Sequence, residues 1–314
     1  MRSYKKGTSV TSQPLLLSKR KKWLWLLLFL AGALLASSST MVLPDSVSPA
    51  SAAQSTTMTK RFSRGVRYYL TVIDMRDRDT YVSIGLPKGA TQANSSRFSG
   101  GAESFRPLVY RQQAAVVVTG TFFGMDANKW VMGNMVSGGR FLKYSPWENY
   151  GTTLGIGPDK RLEMVTARVD GKPKWQNHWF SLTAGPRLLR NGKVWIAPRK
   201  EGFSDRSVFG AARRAAIGYT AGGRKLIMVT FPTKVSLQKE ALILRDLGCK
   251  EALNLDGGTS LGLARSNKIL VWPGRRLTNV IAFYDRSHPA PVALRESWQR
   301  FSQGDRPRIA QKKN

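Results

Sequence analysis

Beyond residue 60 the apolar residues come in short, β-branched runs broken by glycine and charge, and only one stretch keeps a long helical period. That pattern constrains the chain to sheets with few helices. Residues 66–73 (VRYYLTVI) and 81–86 read as strands joined by the charged turn Arg76-Asp77-Arg78-Asp79. Residues 114–119 are apolar until the last position and read as a buried strand. Shorter strands are expected at 153–156, 162–169, 194–196, 251–255, 269–272 and 280–284, and a hairpin of 215–219 with 225–230 around Ala221-Gly222-Gly223. The clear helix covers 236–247. Ser236 serves as its N-cap, Leu237, Ala241, Leu244 and Leu247 fall on one face, and Gly248 stands where a C-terminal glycine belongs. A second helix is expected at 103–113, weakened by Pro107. With no internal repeat, the expectation is an α+β fold: a single mixed domain over 61–286, strand-rich, with a few flanking helices and a basic tail at 287–314.

The N-terminus carries an apolar export or anchor segment. Lys19-Arg20-Lys21-Lys22 precede the uncharged run from Trp23 to Ala36, and small polar residues follow. This order fits a signal peptide, with Ala50-Ser51-Ala52 as a late cleavage site. Extended to Leu43, the run reaches the roughly 20 residues of a membrane anchor. Either reading assigns 1–43 to this segment, leaves 44–60 as a Ser/Thr/Ala/Pro linker, and puts the rest in the periplasm, cell envelope or outside. The membrane is a partner only if the segment stays uncleaved.

Fifty Lys and Arg face nineteen Asp and Glu, a formal charge of +31. Most of the excess lies beyond residue 60 and favours polyanions. In an exported protein these are lipid head groups, phosphate-bearing polymers or anionic glycans, and export argues against nucleic acid. The single Cys249 excludes an intrachain disulfide and a Cys-based zinc site, and reads as a buried small hydrophobe. His178 and His288 share no metal-ligand spacing, and no cofactor is implied.

Chemistry concentrates in a few segments. In Asn254-Leu255-Asp256-Gly257-Gly258-Thr259-Ser260 a carboxylate leaves an apolar strand ahead of two glycines. Such a turn lets backbone amides approach an anion, and Thr259 and Ser260 add hydroxyls. An ordinary Asp-Gly hairpin turn is the plainer alternative. Gly120, Phe122 and Phe123 follow the buried strand and fit either a sugar floor or a packed turn. Gly133-Asn134 is a similar break. Arg187, after Gly185-Pro186, and Arg214, before Ala215-Ala216-Ile217-Gly218, fit either bidentate binding of phosphate or carboxylate or plain surface positions.

In order, TGTFF, GNMVS, TAGPRLLRNGK, RRAAIG, a helix ending in LGC, ALNLDGGTS and RRLTN resemble the phosphodiester glycosidase family over about 116–284. The resemblance implies hydrolysis of a sugar-1-phosphodiester with release of the sugar. It implies Asp256 as the catalytic or sugar-holding carboxylate, with Asn254, Gly257, Gly258, Thr259 and Ser260 in its turn. Arg214 and Arg275 are implied as phosphate ligands, Gly120 and Phe123 as a wall, Asn134 as the Gly-Asn turn, and Asn279 as the end of the RRLTN motif. Thr119 stands where the family usually has Asn, Thr259 where it has a third Gly, and Arg213 where it often has Pro. Thr119 thereby removes an amide, and Thr259 is expected to narrow the turn. A second carboxylate is expected among Glu103, Asp126 and Glu148. The central expectation is that Asp256 faces a hollow lined by the guanidinium groups of Arg214 and Arg275. The rival readings are a binding module for anionic glycans or phosphate-bearing polymers without turnover, and a basic peripheral membrane protein with a vestigial pocket.

Overall fold

The run at 114–119 forms the strand Val116–Thr119, buried along its whole length. A computed structural model describes residues 54–94, 101–126 and 129–309, and explains that burial. The compact unit Ala52–Asn314 holds three antiparallel sheets. The first runs, edge to edge, Thr56–Ser63, Val66–Asp74, Lys225–Val235, Ala212–Thr220, Cys249–Asn254, Arg187–Arg190, Lys193–Val194. The second runs Lys268–Val271, Leu263–Arg265, Val116–Thr119, Val280–Tyr284, Tyr81–Gly85. The third runs Arg140–Lys143, Met135–Ser137, Phe180–Ala184, Thr152–Ile156, Leu162–Thr166.

All three sheets turn one face into a shared core. Ala215, Ile217 and Met228 enter it from the first sheet, Val116, Val118 and Phe283 from the second, and Leu154, Ile156 and Leu182 from the third. Alternate residues bury the opposite faces. Ala216, Ile227 and Val229 pack under the helix Leu237–Asp246, and Val117, Val280 and Ala282 under the helix Phe105–Gln112. Two covered faces explain why these strands read as continuous apolar runs. Ser236 Oγ accepts from Lys239 N at 3.2 Å and caps the first helix. Pro107 sits in the first turn of the second, where a missing N–H costs no helical bond. Cys249 is buried in the packing under the first helix.

Several boundaries differ from the sequence reading. Residues 56–60, assigned to the linker, belong to Thr56–Ser63, whose side chains mostly face solvent and whose backbone pairs with Val66–Asp74. The strand expected over 162–169 stops at Thr166, and Ala167–Asp170 turns helical. The tail contains the helix Val292–Ser302, whose Phe301 joins the shared core. The segment 1–43, and the linker up to residue 53, lie outside the described residues. Among the described residues no helix is long and apolar enough to cross a membrane.

Candidate functional site

Strand ends from the three sheets converge on one junction. Asp256 follows the strand Cys249–Asn254 of the first sheet, and its N–H donates to Gly120 O, 3.0 Å away, just past the strand Val116–Thr119 of the second. Asn279 precedes the neighbouring strand Val280–Tyr284. Its Oδ1 accepts from Thr121 N at 2.7 Å and its Nδ2 donates to Thr121 O at 3.0 Å. Thr121 Oγ1 then donates to Thr183 O of the third sheet at 2.6 Å. Glycine is required where backbones touch. A methyl group at Gly120 would overlap Asn279 Oδ1, and one at Gly257 would overlap Arg213 O.

At this junction Asp256 is 4% exposed. Its Oδ1 accepts from Gly257 N at 2.8 Å, and its Oδ2 lies 3.4 Å from Arg275 Nη2. Arg275 also donates to Ser260 Oγ, contacts Met125 Sδ, and stacks over the Phe123 ring at 4.4 Å. Burial pushes the Asp256 carboxyl up to about 6, against the opposing pull of Ser260 and Arg275. Arg275 lies over the acid and covers it.

Arg214 is not part of this contact. Its guanidinium instead donates to Val235 O, Val208 O, Gly210 O and Asn254 Oδ1, the last at 3.2 Å. Only its backbone abuts the Asp256 turn, because Gly257 packs on the Arg213–Arg214 segment. Arg187 is likewise spent on structure, held by Asp170 at 3.0 Å and Glu251 at 2.6 Å. The asparagines act as brackets. Asn134 exchanges two bonds with the backbone of Ser145, and Asn254 Nδ2 donates to Gly185 O and Leu255 O. Thr119, buried, donates to Ser260 O at 2.6 Å and accepts from Gly262 N at 2.7 Å, so it clamps the turn. Thr259 is exposed. Gly258 takes φ +57, the left-handed conformation that glycine permits.

Two groups escaped the sequence reading. Tyr150 has its phenol raised well above the usual value, first by burial and then by the charges of Asp256, Glu148 and Glu201. Glu201 is fully buried and pushed up to about 7 by burial, although Thr152 Oγ1 and Arg187 N donate to it. Its neighbour Phe203 packs on Tyr150 and on Phe122. The three expected second carboxylates are otherwise engaged. Glu103 pairs with Arg111 at 2.7 Å, Glu148 with Lys143 at 3.0 Å, and Asp126 accepts from Lys129 N in an exposed turn. Exposed Trp130, Trp147 and Trp272 stand on the loops that carry Phe123, Tyr150 and Arg275. Trp147-Glu148-Asn149-Tyr150-Gly151, aromatic residues in a polar loop, was the available signal.

A phosphodiester glycosidase family model matches residues 112–284. Among solved structures, the zebrafish N-acetylglucosamine-1-phosphodiester alpha-N-acetylglucosaminidase catalytic domain, auto-inhibited by pro-peptide, is similar at TM-score 0.58 and 18% identity. That match covers 74% of this chain and 83% of the other. A hypothetical protein from Synechocystis is similar at TM-score 0.53 and 17% identity, over 74% of this chain and 62% of the other. At these identities the likeness is one of fold. No curated protein matches the sequence.

Proposed function

The chain belongs to the phosphodiester glycosidase family, and from that membership we propose that it is an exported hydrolase cleaving the glycosidic bond of sugar-1-phosphodiesters in envelope glycolipids or polymers. The observation that carries this reading is the buried Asp256 carboxylate lying directly under the Arg275 guanidinium. These are the two charges the reaction needs in one place. Cleavage breaks the bond between the anomeric carbon and the phosphate oxygen, and the electron pair leaves with the phosphate. Positive charge grows on the sugar ring and negative charge on the departing phosphomonoester. Asp256 stabilises the first, and Arg275 with the N–H of Gly258 stabilises the second. Water then bonds to the anomeric carbon and gives up a proton.

The incoming phosphate draws Arg275 away from Asp256 and so uncovers the acid. A phosphate leaving group needs little protonation, which suits a junction without histidine. Glu201 is the partner carboxylate and takes the proton from water. Its support is the neighbourhood of Tyr150, which feels Asp256, Glu148 and Glu201, of which Glu148 is already paired with Lys143. The exposed tryptophans on the surrounding loops supply flat apolar faces for sugar rings. Arg214, Arg187 and the three asparagines position the loops rather than touch substrate. Export rests on the uncharged run Trp23–Ala36 behind four basic residues.

The direct test is release of free sugar from a synthetic sugar-1-phosphate methyl diester by the full chain. Turnover abolished by Asp256→Asn, with the fold intact, is the expected result. Binding without sugar release would instead favour a non-catalytic module.

A further inference from the structure

Far along the chain from Asp256, the C-terminal segment forms a second charged feature. After the helix Val292–Ser302 the backbone passes the turn that precedes the strand Arg140–Lys143, and a cleft of about 510 Å³ opens between them. A smaller cavity of about 170 Å³ adjoins it and shares Gly139, Arg140, Asp305 and Arg306. Arg140, Arg306 and Arg308 line the first, and Arg300 joins in the second. Asp305 is the acidic side chain lining either. Its Oδ1 is occupied by the N–H of Arg306, and among the described residues no arginine of the cleft forms a salt bridge.

Four guanidinium groups gathered around one carboxylate repel one another unless an anion joins them. The walls are set in advance. Gly138 and Gly139 take φ +58 and +68, conformations open to glycine, and so aim Arg140 at the cleft. Arg306 lies over the Phe301 ring at 4.6 Å, and its Nη1 donates to Phe301 O and Asp305 O. Its Nε and Nη2 make no hydrogen bond among the described residues and point no bond back into the protein. The volume is within the range of small-ligand sites, about 300–1,000 Å³, and three arginines against one acid in the lining favour an anionic ligand. Arg presents paired N–H groups that match phosphate oxygens bidentately. Two joined chambers suit consecutive phosphate groups better than one.

We infer that this cleft between Arg140 and the segment 300–308 is a second binding site, separate from Asp256, for a chain of phosphate groups. It holds such a polymer while any chemistry occurs elsewhere, and it stands or falls independently of the role of Asp256.

The test is titration of the full chain with inorganic polyphosphate, beside an Arg140→Ala/Arg308→Ala variant and an Arg61→Ala/Arg67→Ala variant that removes equal charge from exposed strand positions. The expected result is saturable binding, weakened at least about tenfold in the cleft variant. The dependence of log affinity on log salt should also be shallower there by about 1–2. The strand variant should bind like the parent. Equal losses in both variants would reduce the effect to net charge and overturn the site, as would no loss in the cleft variant. Orthophosphate binding as tightly as the polymer would make the cleft a single-anion site and overturn the chain assignment. Vesicles with anionic phospholipid form the last arm. Cleft-dependent vesicle binding without polyphosphate binding would assign the arginines to a lipid surface and overturn the proposal.

Discussion

Arg275 Nη2 rests 3.4 Å from Asp256 Oδ2, and the same guanidinium spans Ser260 and the Phe123 ring. One side chain thus joins the Asp-Gly-Gly turn of the first sheet to the aromatic turn of the second. Removing Arg275 should cost function more than stability, because its side chain is 25% exposed. Arg275→Ala is expected to lower kcat/KM on the order of a hundredfold, about 3 kcal/mol of transition-state stabilisation. Arg275→Lys keeps the charge without the fork and should recover part of it. Steady-state kinetics on a sugar-1-phosphate diester, with thermal melts of both variants, check this.

Asp256 should weaken the fold that holds it. Its folded carboxyl is raised from 3.8 to about 6, so the folded state keeps the proton more tightly than the unfolded chain. Stability is therefore greatest at low pH on this account and falls as pH rises from about 4 to about 6. The loss amounts to roughly 3 kcal/mol at most. Asp256→Asn should abolish turnover yet melt higher than the parent at pH 8, with the gap closing towards pH 4. Urea titrations at the two pH values decide it, and a less stable Asp256→Asn protein at pH 8 would refute the argument.

The pH profile of hydrolysis should rise in two steps. The carboxylate of Asp256 is formed as pH passes about 6, and that of Glu201 as it passes about 7. Both must be ionised in the proposed reaction, so activity climbs through this window. In Glu201→Gln the upper step should vanish while the lower one remains. A purely structural Glu201 would lower the whole curve without changing its shape.

Arg214 should behave as a structural residue. Arg214→Ala leaves Asn254 Oδ1 and three backbone carbonyls without their donor inside the protein. The expected cost is about 3 kcal/mol or more of folding stability. Activity per folded molecule should change less than in Arg275→Ala. Denaturant melts combined with activity at low temperature separate the two effects.

Gly120→Ala probes the seam between the sheets. The added methyl meets Asn279 Oδ1, which is fixed by its bonds to Thr121. A destabilisation of about 1–3 kcal/mol is expected. A concurrent Asn279→Ala change should relieve the clash but lose the bracket, which a double-mutant cycle would register as coupling.

Local chemistry determined much of this protein before any fold was known. The apolar run of the strand Val116–Thr119, the capped period of Leu237–Asp246 and the β-branched strand Val280–Tyr284 each follow from burial and backbone preference along a few residues. The Asp256-Gly257-Gly258 turn was legible for the same reason, since glycine and a strand-end carboxylate are local signals. The edge strand Thr56–Ser63 was hidden because its outward polar residues match linker composition, and only pairing with Val66–Asp74 makes it a strand. Which arginine reaches Asp256 was beyond the sequence. Arg214 is close in backbone, but its guanidinium is held by Asn254 and three backbone carbonyls, whereas Arg275 arrives from a loop of another sheet. Glu201 carries no motif, and its raised carboxyl comes from side chains distant in sequence that exclude water around it. Sequence fixes what each short segment prefers. Desolvation and the direction of a side chain depend on which segments meet, and only the packed sheets decide that.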